Sequence, residues 1–367
     1  MTSSTAAPPG PDDGGETAAL LALRRLPGCG DVTCLRLLRR FGSARSALRA
    51  TLADRAVEAG DPLAWAHDQL SRASRLQATL VGFHDPRYPP LLREIHDPPP
   101  ILFVRGRVEL LREAGVAIVG SRRCTPYGGE VARAFARDLA GRGLAVLSGL
   151  ARGIDAAAHD GALAAGATIA VLGCGADVPY PASNRALYDR ILAEGALLSE
   201  VPLGSGPAAG SFPRRNRIIS GMSLGVVVAE APERSGALIT ARCAAEQGRE
   251  VFAVPGEVSN RRCHGGLALL RDGACLARSA DDVLEELWPR LPDRVREARP
   301  GAAEGDPAAP GQDPDGLLRL LQTGVRRVDD LTRDSGLPPA QVAARLLELE
   351  LAGRVESLPG GAWTRRR

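Results

Sequence analysis

Six short apolar runs punctuate the middle of this chain, and their spacing constrains the fold more than any other feature. They are Val116–Val119, Leu144–Leu147, Thr168–Leu172, Ala196–Ser199, Leu224–Ala229 and Glu250–Val254. Roughly 20 to 30 residues separate most of them, which is room for one returning helix, as a βαβ unit requires. The runs are unbroken rather than alternating, so each strand is expected to be buried on both faces. Residues 113 to 288 therefore read as an α/β domain on a doubly wound parallel sheet. In such a sheet the loops after successive strands gather along one edge.

Those loops carry glycine and arginine. Gly120-Ser121-Arg122-Arg123 follows the first run, and Ser148-Gly149-Leu150-Ala151-Arg152-Gly153-Ile154-Asp155 follows the second. Glycine lets the backbone approach a phosphate, Ser121 offers a hydroxyl, and Arg122 and Arg152 offer guanidinium forks. Phe212-Pro213-Arg214-Arg215-Asn216-Arg217 is read as a further loop, with Phe212 placed to stack on a base and Arg214, Arg215 and Arg217 to hold phosphates. Asn216 either bonds a base edge or fixes the loop. Ser235-Gly236-Ala237-Leu238-Ile239-Thr240 feeds a helix N-terminus, an anion-friendly place. Several such loops on one edge predict phosphates in a row, and hence a nucleic-acid backbone. Asp155 and His159 are four apart on one helix face; a capping carboxylate with a hydrogen-bonded histidine explains the pair more simply than catalysis. Glu230 ends a strand with no second carboxylate or activated serine beside it.

Composition narrows the ligand and the compartment. The 46 basic residues are all arginine, yet net charge is only +3, so nucleic-acid binding must come from local clustering. Aromatics are 4% of the chain, which limits a mode built on many stacked bases. Neither a Walker A loop nor GxGxxG is present, and the seven cysteines form no CxxC pair, so neither cofactor nor metal is expected. With no signal peptide and no bilayer-length apolar run, the expectation is a cytoplasmic protein without membrane contact.

Along the chain, residues 1–16 read as a disordered tail. Residues 17–80 read as a helical domain with Leu26-Pro27-Gly28-Cys29-Gly30 as a hairpin between helices. Residues 81–112 read as an extended connector with one strand at Ile101–Val104, leaning on the sheet domain and counted with it. Residues 289–313 read as a proline-rich linker. Residues 314–367 hold three helical segments, Gly316–Leu321, Val328–Ser335 and Pro339–Ala352, and a hairpin, the winged-helix pattern.

The motifs resemble the DNA-processing protein A family, DprA or Smf. They are Val119-Gly120-Ser121-Arg122 with Tyr127-Gly128; Ser148–Asp155 with His159; Val171-Leu172-Gly173-Cys174-Gly175 with Tyr180-Pro181; Leu198-Ser199-Glu200; Phe212–Ile219; Glu230-Ala231; Ser235–Ala241; Phe252–Gly256; and Asp272-Gly273-Ala274. The resemblance implies a Rossmann-like domain flanked by an N-terminal SAM-like or helix-hairpin-helix domain and a C-terminal winged helix. It implies a single-stranded DNA-binding protein that protects incoming strands in natural transformation, helps load the recombinase RecA, and forms homodimers. Carried over by motif, the DNA contacts are Gly120, Ser121, Arg122, Gly149, Arg152, Phe212, Arg214, Asn216 and Arg217, with no catalytic residue and no enzyme activity. The chain departs from the family's Gly-x-Asn segment, having His264-Gly265-Gly266-Leu267 there.

Two other readings stand beside it. Phosphoribohydrolases that release a base from a nucleoside monophosphate share a similar fold, but their Pro-Gly-Gly-x-Gly-Thr-x-x-Glu loop is matched here by Ser235–Thr240 without a following glutamate. A sequence-specific regulator would read DNA through the winged helix, whose third helix carries Arg345 among apolar residues with Glu348 and Glu350. That composition fits protein contact better than a major groove.

Overall fold

Each of the six apolar runs is a strand in the computed structural model, which describes residues 15–53, 61–297, 316–321, 326–335, 337–351, 353–358 and 361–365. The N-terminal tail through residue 14 and the proline-rich stretch 298–315 lie outside the described residues. The chain divides into two compact units, residues 1–299 and 300–367.

The first unit opens with four helices: α1 (Gly15–Arg25), α2 (Asp31–Phe41), α3 (Ala44–Ala53) and α4 (Pro62–Arg75). Local chemistry marks their ends. The Asp61 carboxylate accepts from the Leu63 N–H at 2.9 Å, and Pro62 takes the first helical position of α4. Gly42 closes α2 at φ +76°. Next come β1 (Thr79–Gly82), α5 (Pro90–Arg93) and β2 (Ile101–Gly106). The connector reading needs correction here, because β1 pairs antiparallel with β2, from Thr79 opposite Val104 to Gly82 opposite Ile101.

The alternating part follows: β3 (Gly115–Gly120), α6 (Pro126–Gly141), β4 (Ala145–Ser148), α7 (Ile154–Leu163), β5 (Thr168–Leu172), α8 (Arg185–Glu194) and β6 (Ala196–Ser199). It continues through α9 (Ser211–Gly221), β7 (Gly225–Glu230), α10 (Gly236–Glu246), β8 (Glu250–Ala253), α11 (His264–Arg271), β9 (Cys275–Leu276), α12 (Ala280–Leu287) and α13 (Asp293–Glu297). The nine strands lie in the order β1-β2-β6-β5-β4-β3-β7-β8-β9. From β3 to β9 all pairs are parallel, and β2 joins β6 antiparallel. The chain builds outward from β3 through β4, β5 and β6, then crosses back to add β7 on the other side of β3. That reversal is the topological switch point, where open α/β sheets bind ligands.

The sheet is buried on both faces, as its unbroken apolar runs require. Val116, Ile118, Val146 and Val227 pack with α6, α7 and α12. Their neighbours Ala117, Val119, Leu147 and Val226 pack on the opposite face with α10 and with leucines of the four N-terminal helices. The N-terminal helices thus share one core with the sheet. Residues 289–297 also depart from the linker reading, because Leu291 and Val295 are buried in the sheet's other core.

The second unit contains α14 (Gly316–Leu320), β10 (Arg326–Arg327), α15 (Val328–Ser335), α16 (Pro339–Leu351), β11 (Val355–Leu358) and β12 (Ala362–Arg365). Its strands pair in the order β10-β12-β11, and Leu331, Val342, Leu346 and Val355 close its core. This is the expected winged helix with one added short strand. Among the described residues no helix is long and apolar enough to cross a membrane.

Candidate nucleic-acid interface

The carboxyl ends of β3, β4 and β7 and the amino ends of α7, α9 and α10 meet at the switch point. There they enclose a cleft of about 760 Å³. A neighbouring cleft of about 510 Å³ runs toward Tyr180 and Pro181, and both are lined by Arg122, Arg123, Ala151, Phe212 and Arg215. Together they form one groove along the sheet edge. Arg152 and Arg262 add to its wall. Five arginines thus face a single carboxylate, Asp155, and counterion release would reward a polyanion laid along them.

The loop after β3 explains its glycine. Pairing of β3 with β7 slips between Val119 and Gly120, so that Gly120 lies opposite Glu230. A Cβ at Gly120 would sit 2.7 Å from the Glu230 carbonyl. The Glu230 carboxylate is buried and accepts from the Thr125 N–H at 3.0 Å and from its hydroxyl. Thr125 in turn accepts from the Gly128 N–H at 3.0 Å, capping α6. Glu230 is therefore the anchor of the 121–128 loop. Ser121 lines the groove, and its hydroxyl accepts from the Arg123 N–H at 3.1 Å.

The loop after β4 corrects one expectation. The amides of Gly149 and Ala151 donate to Asp155 at 3.2 and 3.3 Å, and that of Leu150 donates to His159 Nε2 at 3.3 Å. Asn184 donates to the carbonyls of Leu150 and Ala151 at 3.0 and 3.1 Å. These bonds hold Leu150 at φ +54°, a left-handed conformation that a leucine adopts only under such constraint. The amides of Gly149, Leu150 and Ala151 are therefore committed inside the protein, and Gly149 serves by leaving room. A Cβ there would collide with the Arg215 guanidinium. Gly153, at φ +75°, gives the carbonyl of Ser121 the same clearance.

His159 is fully buried. Its Nδ1 lies 2.7 Å from the Thr168 hydroxyl, which donates to the Val146 carbonyl at 2.8 Å. Only the neutral ring with hydrogen on Nδ1 satisfies both partners. Burial, reinforced by Arg215, lowers its pKa to about 3. Burial pushes Asp155 above the usual carboxylate range, against the pull of Arg215 and the loop amides. The pair is a loop brace: His159 is hydrogen-bonded as expected, but Asp155 does not cap α7, which starts after Gly153 without a side-chain cap, and instead accepts from the preceding loop.

The Phe212–Arg217 segment is not a loop: it is the first two turns of α9, and the helix sorts its side chains by face. Phe212, Arg215 and Asn216 face the groove. Arg122 lies over the Phe212 ring at 5.7 Å, and the Tyr180 ring centroid is 5.5 Å from that of Phe212. The Asn216 amide donates to the Gly236 carbonyl at 3.3 Å, tying α9 to the start of α10. Arg215, absent from the contacts that the family resemblance implies, is buried and donates to the Val171 carbonyl, and its Nε has no partner. Burial brings its pKa down to about 10, still a cation at pH 7. The i, i+3 spacing from Phe212 was the available signal.

Arg214 and Arg217 point away from the groove. Arg217 is buried and donates to Glu200 at 2.6 Å and Asp31 at 3.1 Å, with Asp97 at 3.1 Å from its Nε. Arg214 pairs with Asp31 and lies 3.3 Å from Glu200. Arg24 of α1 completes the cluster, 3.0 Å from Asp31. These two arginines are posts that seat α9 on the N-terminal helices. Arg152, on the groove wall, donates to the Ser183 hydroxyl at 3.1 Å. Among the described residues, the one cluster with metal-ligand geometry, Glu250, Cys275 and Glu286, contributes nothing to the groove lining.

Fold and site define a doubly wound α/β protein with a basic, partly aromatic groove at its switch point. The family model for DNA recombination-mediator protein A matches residues 79–288, and that for the DprA winged helix domain matches 301–361. Protein Smf of Escherichia coli (strain K12) is 44% identical over 281 residues, 75% of this chain and 74% of that protein. DNA processing protein DprA of Streptococcus pneumoniae (strain ATCC BAA-255 / R6) is 46% identical over 203 residues, 55% of this chain and 72% of that protein. The solved structure of DNA processing protein A from Streptococcus pneumoniae superposes with a TM-score of 0.60 at 35% identity, covering 74% of this chain and 94% of that one. That from Helicobacter pylori, described for its single-stranded DNA binding mode, gives 0.54 at 30% identity, covering 60% and 99%. The chain belongs to the DNA recombination-mediator protein A family, DprA or Smf.

Proposed function

We propose that the protein binds single-stranded DNA along the switch-point groove, protects incoming strands during natural transformation, and helps load RecA onto them. The observation that carries this reading is the groove itself, with five arginines, one inward-turned carboxylate and an aromatic pair at its floor. The solved Helicobacter pylori relative, described for its single-stranded DNA binding mode, supports the same ligand here. Arg122, Arg123, Arg152, Arg215 and Arg262 hold phosphates. Phe212, with Tyr180 beside it, stacks on bases, an interaction every base accepts. Gly120, Ser121, Gly149 and Asn216 shape the walls that place these groups. Binding in this account needs no catalysis. A homodimer would put two grooves on one strand and raise avidity.

The test pairs Arg122→Ala with a nucleotide assay. The variant is expected to lose affinity for oligo-dT and oligo-dA alike while melting as the parent does. Base release from a nucleoside monophosphate by the parent, with no single-strand binding, would replace this reading with the phosphoribohydrolase one.

A further inference from the structure

We infer that the N-terminal helices extend the DNA track, with exposed arginines of α2 holding phosphates of a strand that leaves the groove. The inference rests on the groove reading above and adds a second surface to it. Residues 15–53 carry seven arginines and two carboxylates. Both carboxylates are committed. Glu16 accepts from the Ala44 N–H at 2.8 Å, and Asp31 sits among Arg24, Arg214 and Arg217. Arg25, Arg36, Arg39, Arg40 and Arg49 are exposed, and none has a carboxylate partner among the described residues. Around the sheet several exposed arginines are answered: Arg133 and Arg190 by Asp160, Arg185 by Asp189 and Arg278 by Asp282. The helical segment thus holds five exposed arginines without a carboxylate partner among the described residues, as the groove holds Arg122, Arg123, Arg152 and Arg262.

This arginine face sits across α9 from the groove. Arg36, Arg39 and Arg40 are three and four apart and share one face of α2. Asp31, the first residue of α2, touches Arg214 in the opening turns of α9, whose Phe212 floors the groove. At 1.5 Å per residue, Arg36 stands about 7.5 Å and Arg40 about 14 Å further along the α2 axis from that junction. A strand leaving the groove would reach this face by turning round the start of α9. A single strand is the occupant, because α9 both floors a groove that follows a chain of phosphates and anchors α2, and arginine forks suit phosphate.

The experiment uses the full chain with Arg36→Gln, Arg39→Gln and Arg40→Gln combined, and oligo-dT of about 6 and about 20 nucleotides. For the long strand, each lost phosphate contact is expected to lower the salt slope by about 0.7, so about 2 in all, with at least about tenfold weaker binding at low salt. The short strand, which fills the groove alone, should bind as before. Should the triple variant fold poorly, Arg39→Gln alone is expected to lower the long-strand slope by about 0.7. An unchanged long-strand slope overturns the inference, as does an unchanged slope with lost binding to phosphatidylglycerol vesicles. Arg122→Ala reports on the groove separately, since it should weaken both lengths.

Discussion

Asp31→Asn removes the carboxylate that three guanidinium groups share at the joint between α2 and α9. Arg24 Nε and Arg217 Nη2 lie 3.0 and 3.1 Å from it, and Arg214 pairs with it as well. Leaving buried charge without its partner costs about 3–5 kcal/mol. Arg217 keeps Glu200 and Asp97, and Arg214 is half exposed, so the low end applies, about 3 kcal/mol. For a unit of this size that corresponds to a fall in Tm of roughly 6 to 12 °C. Burial alone would raise the Asp31 pKa, but Arg24, Arg214 and Arg217 outweigh it and hold the carboxyl below its ordinary value. A depressed folded-state pKa gives stability that is complete at pH 7 and is lost as pH falls through that value. The deficit of the variant should therefore be full at pH 7 and narrow on acidification toward pH 3. Urea unfolding of both proteins at several pH values measures it. A variant within about 0.5 kcal/mol of the parent at pH 7 would refute the view that this cluster seats α9.

Three further outcomes follow from the site. Arg122→Ala should weaken oligo-dT binding about tenfold and lower the salt slope by about 0.7, without a change in Tm; a parallel fall in Tm would mean a structural role instead. Gly149→Ala places a methyl against the buried Arg215, so single-strand affinity should drop about tenfold with about 1–3 kcal/mol of lost stability, and affinity within twofold of the parent would disprove the clearance argument. His159, held neutral with a pKa near 3, binds a proton more readily unfolded than folded. Stability should fall as pH drops below about 6.5, this group adding up to about 1.4 kcal/mol per pH unit, and His159→Gln should lose that contribution; equal pH slopes would contradict it.

The parallel core of the fold was legible because its signal is local. Runs such as Val116–Val119 and Val226–Val228 are unbroken, and a strand buried on both faces needs nothing else to declare itself. β1 and β9 were not legible. Three residues separate Thr79–Gly82 from the end of a helix, and Cys275–Leu276 is two residues long, so each becomes a strand only through its neighbour. The segment Phe212–Arg217 looked like a loop for its proline and charge, although proline suits a first helical turn. Reading it as helix would have separated Phe212, Arg215 and Asn216 from Arg214 and Arg217. The partner of those last two, Asp31, lies more than 180 residues away in sequence, and nothing near Arg217 announces it. The loop after β4 shows the same limit. Gly149 and Arg152 were visible as site residues, while the internal use of the loop amides depended on Asp155, His159 and Asn184 converging from three elements.

The central claim is that the switch-point groove holds single-stranded DNA. Fluorescence anisotropy of labelled oligo-dT, against duplex of equal length across a salt series, tests it most directly. The account predicts tight, sequence-tolerant binding that prefers the single strand and weakens steeply with salt. No binding at low salt, or equal binding of duplex, would contradict it.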